Sequence, residues 1–143
     1  MQIKNSYKNG LLACVLTSIA SFANADFVVV VSAKNSLSNL TSDQVSDIFL
    51  GKVSNFPAGG AALPVDLVEG APLRDEFYSK VMSKTPTQVK VYWSKMVFTG
   101  KGQPPKEVSD STTVKKMVAE NPNAIGYIDK SAVDSSVKVV FSQ

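Results

Sequence analysis

Arg74 stands in the first turn of a helix-like pattern that follows the run LPVDLV and a glycine turn at Glu69-Gly70. A strand that turns into a helix start leaves backbone N–H groups pointing outward, and such groups favour an anion. A guanidinium beside them adds forked, charged donors that suit phosphate, sulfate or a carboxylate. Gly70, Ala71, Leu73 and Arg74 therefore form the first candidate site; the alternative is a plain turn with an exposed arginine. Glu69 opposes an anion there unless its carboxylate faces away. Other candidates are weaker. Gly100-Lys101-Gly102 invites comparison with phosphate loops, but no Ser or Thr follows Lys101 and the spacing fits no nucleotide fingerprint. Asp75 and Glu76 are adjacent on a helix and point apart, which is poor geometry for an acid/base pair. Tyr92, Trp93 and Phe98 could stack a ligand, although their helical spacing fits core packing better.

The elements that must position these groups begin after a leader. Lys4 and Lys8 precede the uncharged stretch 10–22, and Ala23-Asn24-Ala25 has the small-x-small pattern of a signal-peptidase site. Residues 1–25 are thus expected to be a signal peptide and residues 26–143 one periplasmic or secreted domain. Leu11-Leu12-Ala13-Cys14 resembles a lipidation box, but too little apolar chain precedes it, and Cys14 is read as part of the signal. No later run has the length of a transmembrane helix, so no membrane insertion is expected once the signal is removed.

Composition then excludes several kinds of chemistry. The chain has no histidine and its one cysteine is Cys14, so residues 26–143 have no thiolate nucleophile, no His base, no disulfide and no Cys/His zinc set. No catalytic residue, metal ligand or cofactor is expected. Of the 15 basic residues, Lys4 and Lys8 lie in the leader, leaving 13 against 12 acidic ones. That balance gives no reason to expect nucleic acid or an anionic membrane as partner.

Periodicity marks the elements. FVVVV (27–31) is a continuous β-branched run, expected to be a strand covered on both faces as in parallel sheets. Thr41-Ser42-Asp43-Gln44 and Thr85-Pro86-Thr87-Gln88 are capping boxes that open helices, the first with Leu40 and Val45 as a hydrophobic staple and a stop at Gly51. Residues 63–68 read as a strand. Pro72 opens a helix with Leu73, Phe77 and Val81 inward. The helix from Thr85 carries Val89, Tyr92, Trp93, Met96 and Val97 on one face and stops at Gly100. TGKGQPPKEV (99–108) reads as a loop, Asp110 caps a fourth helix, and AIGYI (124–128) and VKVVF (137–141) are strands. The expected fold is an α/β layered domain with a largely parallel sheet flanked by helices.

DIFLGKVSNFP (47–57), the VEGAPLRDEF junction (68–77) and NPNAIGYID (121–129), in this order, resemble the phosphate-binding components of bacterial ABC phosphate importers, within the periplasmic-binding-protein-like superfamily. The resemblance runs over roughly residues 28–141. It implies a non-catalytic, extracytoplasmic binding domain like one lobe of a periplasmic binding protein, with an importer or another extracytoplasmic protein as partner. In that family a Ser-Gly-Thr followed by Arg holds the phosphate. Here Ala71-Pro72-Leu73 occupy the Ser-Gly-Thr positions: the arginine is kept, both hydroxyls are gone, and Pro72 removes an N–H.

Two readings follow. In the first, Arg74 and the Gly70–Leu73 turn, with Ser32 after the first strand and Thr99, Gly100 and Lys101, bind phosphate or another small oxyanion. In the second, a single lobe that has lost its small ligand uses the junction and the loop after Phe98 against a protein.

Overall fold

The computed structural model describes residues 26–143; the signal peptide expected over 1–25 lies outside them. Five strands form one sheet in the order β3-β2-β4-β1-β5. They are β1 (Phe27–Ser32), β2 (Leu63–Leu67), β3 (Lys106–Val108), β4 (Ala124–Asp129) and β5 (Val137–Ser142). The helices are α1 (Ser42–Phe49), α2 (Pro72–Met82), α3 (Pro86–Phe98) and α4 (Ser111–Glu120).

β2 is parallel to β3 and β4, while β1 is antiparallel to both β4 and β5. Four strands therefore point one way and β1 runs against them, so the α/β, mostly parallel architecture is as the sequence indicates. β1 is buried along its whole length because it lies between β4 and β5 with helices over the sheet. Burial on both faces is a property of central position, and it carries no information about strand direction.

Both capping boxes form. Thr41 and Thr85 each accept the N–H three residues on, while Gln44 and Gln88 reach back to the cap N–H. β3 departs from the expected loop. It has only three residues, KEV, after Pro104-Pro105, and pairs with the edge of β2 at Val65, Asp66 and Leu67. So short and polar a strand has no periodicity to read. α3 departs as well: Val89 and Trp93 are buried, but Val97 is 45% and Phe98 92% exposed.

Adjacent residues of β4 serve opposite layers. Tyr127 stacks on Phe77 of α2, with ring centroids 3.9 Å apart. Gly126 faces α4, where an added Cβ would meet Val114 Cγ1 at 2.4 Å and Val118 Cγ2 at 3.3 Å. Both valines are fully buried, so the helix has no room to yield. Gly126→Ala is expected to cost about 1–3 kcal/mol by overpacking, measured by urea unfolding. Val114→Ala in the same chain should recover part of that loss.

Candidate functional site

The site is built where β2 ends and α2 begins. Gly70 makes the turn at φ +91°, a left-handed conformation that glycine adopts without strain. The N–H of Ala71 is spent on Val68 O, those of Arg74 and Asp75 on Ala71 O, and Pro72 has none. Ala71 is the N-cap and contributes no side-chain hydrogen bond. Leu73 is buried in the core. The junction therefore offers an anion fewer donors than an ordinary helix start.

Under the turn lies a buried carboxylate. Asp66 Oδ1 accepts from Leu67 N–H at 2.8 Å and from the Tyr127 hydroxyl, and Oδ2 accepts from the Tyr78 hydroxyl at 2.7 Å. Arg74 Nε is 3.8 Å from Oδ2. Burial pushes the Asp66 carboxyl above its ordinary value, against the pull of Tyr127, Arg74, Tyr78 and the Leu67 N–H. Burial and the Asp66 charge together drive both tyrosine hydroxyls far up, so they remain protonated donors.

Arg74 closes the network from outside. Its Nη1 donates to Leu67 O and to Glu107 Oε1, each at 2.9 Å. The guanidinium carbon lies 5.6 Å from the centre of the Tyr78 ring, and the side chain is only 12% exposed. Burial opposes its charge, but Asp66 and then Glu107 outweigh that and raise its pKa. This arginine ties β2, α2 and β3 together; it is not the loose helix arginine of the plain-turn alternative.

Beside Arg74 opens a groove of about 550 Å³ between α2, α3 and β3. Of the residues expected at the site, Arg74 lines it; Gly70, Ala71, Leu73, Ser32, Thr99, Gly100 and Lys101 do not. Ser32 is far removed because β1 runs against β2. Through β4 it is level with the start of β2, whereas Arg74 follows the end of β2. Its hydroxyl instead donates to Ala119 O at 3.3 Å. Thr99, Gly100 and Lys101 close the C-terminus of α3: Thr99 Oγ1 donates to Lys95 O, Gly100 N–H to Val97 O and Lys101 N–H to Met96 O. Gly100, at φ +67°, turns the chain there. A helix C-terminus presents carbonyls and the negative end of the dipole, which is unfavourable for an anion.

Asp66, Tyr78, Tyr127 and Glu107 were not anticipated as site residues. Asp66 had a signal, a lone acid inside the apolar strand LPVDL. The tyrosines and Glu107 had none, since they reach Asp66 and Arg74 across 12, 61 and 33 residues.

Among the described residues no helix is long and apolar enough to cross a membrane. No protein-family model matches the chain. Solved structures do match. A protein of Clostridium perfringens, described as a phosphate ABC transporter substrate-binding protein and solved with bound phosphate, superposes with TM-score 0.63 at 30% identity, over 80% of this chain and 44% of that one. An ABC-type phosphate transport receptor of Vibrio cholerae gives 0.65 at 25%, over 80% and 45%. PstS of Borrelia burgdorferi, at 15% identity and TM-score 0.58 over 80% and 46%, shares the fold. The chain thus spans less than half the length of the structures it matches. The described domain thus has the fold of a single lobe of the phosphate ABC transporter substrate-binding proteins that it matches.

Proposed function

We propose that this chain is a non-catalytic, extracytoplasmic binding protein of the phosphate-importer type, and that it holds a small oxyanion on the groove side of Arg74. The observation that carries this reading is the state of that arginine. Nη1 is committed to Leu67 O and Glu107, Nη2 makes no hydrogen bond among the described residues, and the side chain lines the groove. One guanidinium edge is left to donate to a ligand oxygen, in a position fixed by the network beneath it. The matched proteins of C. perfringens and V. cholerae are phosphate-binding and phosphate-transport proteins by description, which favours an oxyanion and an importer as partner.

Free phosphate is the less favourable oxyanion here. A dianion that loses its water needs many donors, and Asp66, Glu69 and Glu107 stand on the same groove. The test is thermal unfolding with phosphate, sulfate and acetate at matched ionic strength. An anion at about 100 times its dissociation constant adds about 2.7 kcal/mol. Stabilisation is expected in the wild type and lost in Arg74→Lys, which keeps a cation near Asp66 but not the forked donors. No stabilisation by any of the three would refute the reading. The exposed Phe98 and Val97 favour a second one, a single-lobe module for a protein partner, and that reading remains if every anion fails.

A further inference from the structure

The near balance of charge over the whole chain hides a local excess. Residues 84–106 carry five lysines, Lys84, Lys90, Lys95, Lys101 and Lys106, and no aspartate or glutamate. The rest of the described chain holds eight bases against twelve acids. Of the five lysines only Lys90 makes an ion pair among the described residues, with Glu69 at 3.6 Å. Asp75 and Glu76 of α2 stand beside Thr85 and Pro86, at the other end of α3 from Lys95 and Lys101. The C-terminal half of α3 and the loop after it therefore present exposed cations, Lys95 and Lys101, that no acid of the chain neutralises.

The same face is apolar along its crest. Val89 and Trp93 seat α3 in the core, and at about 100° per residue Val91 and Phe98 fall on the opposite line, two turns apart, with Lys90 and Lys95 to either side. Val91 is 62% and Phe98 92% exposed, so the ring projects from the helix end instead of lying in a hollow. Two copies of the chain would bring lysine against lysine here, which is repulsive. Three apolar side chains, Val91, Val97 and Phe98, also fall far short of the roughly 800 Å² that each partner buries in a stable protein interface. A lipid surface needs no matching shape: it takes projecting apolar groups among its outer acyl carbons while lysines extend to its phosphates.

We infer that the outer face of α3 docks on an anionic lipid surface, with Phe98, Val91 and Val97 entering the interface and Lys95 and Lys101 on the lipid phosphates. The contact is peripheral and involves no span. It uses charge complementarity that the rest of the chain lacks, and it stands independently of the oxyanion reading of Arg74. The two meet in one respect: Val97 and Phe98 also line the groove, so docking would set the mouth of the groove beside the bilayer.

The test is co-sedimentation with vesicles at low ionic strength, using residues 26–143, which contain every element of the fold and omit the apolar stretch 10–22. Vesicles of equal parts phosphatidylglycerol and phosphatidylcholine should bind the protein, and vesicles of phosphatidylcholine alone should not. Lys95→Gln and Lys101→Gln should each weaken binding about fivefold, the worth of one lysine near an anionic surface. Phe98→Ser should weaken it about tenfold or more. All three side chains are exposed, so circular dichroism and the unfolding midpoint should not change. Failure to bind the anionic vesicles, equal binding to the neutral ones, or indifference to Phe98→Ser or to both lysine variants would each overturn the inference. Retention on poly-L-glutamate without vesicle binding would overturn it in favour of an acidic protein partner. Self-association without lipid, abolished by Phe98→Ser, would overturn it in favour of a second copy.

Discussion

Asp66→Ala is expected to lower the unfolding free energy by about 3–5 kcal/mol, the cost of removing one member of a buried charge network. The loss comes less from the missing carboxylate than from what it abandons. The Tyr78 and Tyr127 hydroxyls and the Leu67 N–H all donate to Asp66, and the tyrosine rings are buried. A buried donor left without an acceptor costs about 1–3 kcal/mol. Arg74 keeps Leu67 O and Glu107, so it suffers least. Urea unfolding followed by circular dichroism measures the change. Asp66→Asn separates shape from charge. Because burial raises the folded carboxyl above the ordinary 3.8, the folded chain holds a proton that the unfolded chain has lost in the window between 3.8 and the raised value. Stability of the wild type therefore falls as pH rises through that window. Asp66→Asn cannot titrate and should lack that fall. A parallel pH dependence in both proteins would show that Asp66 ionises in the folded state as it does in the unfolded chain.

Phe77→Ala is expected to cost about 3–5 kcal/mol, the range for emptying a buried aromatic site. Phe77 is fully buried. It stacks on Tyr127 and meets Phe27, Phe49 and Tyr78 edge-on, at centroid distances of 5.4, 4.8 and 5.4 Å. Its neighbours come from β1, α1, α2 and β4, so no single element can move in to fill the void. In a domain of this size the loss corresponds to a fall of roughly 10–20 °C in melting temperature. Phe77→Leu should retain more than half of the stability. The substitution also reaches the site, because Phe77 lies one turn beyond Arg74 and neighbours Tyr78. If binding on Arg74 depends on the seating of α2, anion-dependent stabilisation should shrink in Phe77→Leu along with the intrinsic stability. An unchanged ligand effect would show that Arg74 is positioned by Glu107 and Leu67 O alone.

The two capping boxes were legible because a cap is a local device: Thr41 finds Gln44, and Thr85 finds Gln88, within one turn. The strand FVVVV was legible by composition, and so were the positions of α2 and of the junction. The antiparallel direction of β1 was not, and from it follows the misplacement of Ser32, since the end of a strand lies at one edge of the sheet or the other according to its direction. β3 escaped notice because three residues establish no period. On α3 the apolar pattern was real, but the helix seats only Val89 and Trp93 firmly, and pattern alone does not say how deep a helix docks. Arg74 was found from its neighbours in sequence; Asp66, Tyr127 and Glu107 became part of its surroundings only through tertiary contact.

The order β3-β2-β4-β1-β5 has a consequence for how the chain assembles. An interior strand, β1, is the first to appear in the described sequence, and both of its partners are the last: Val28–Val31 pair with residues 125–128 on one side and 138–142 on the other. Every backbone hydrogen bond of that strand closes a loop of about a hundred residues, and loop closure of that span must be met before the sheet returns any gain. An N-terminal portion ending before Ala124 would carry a five-residue β-branched ribbon with both edges open, the kind of segment that pairs with other chains. The domain is therefore committed to folding in one late step, and until residues 124–142 are available its most hydrophobic strand is also its most aggregation-prone.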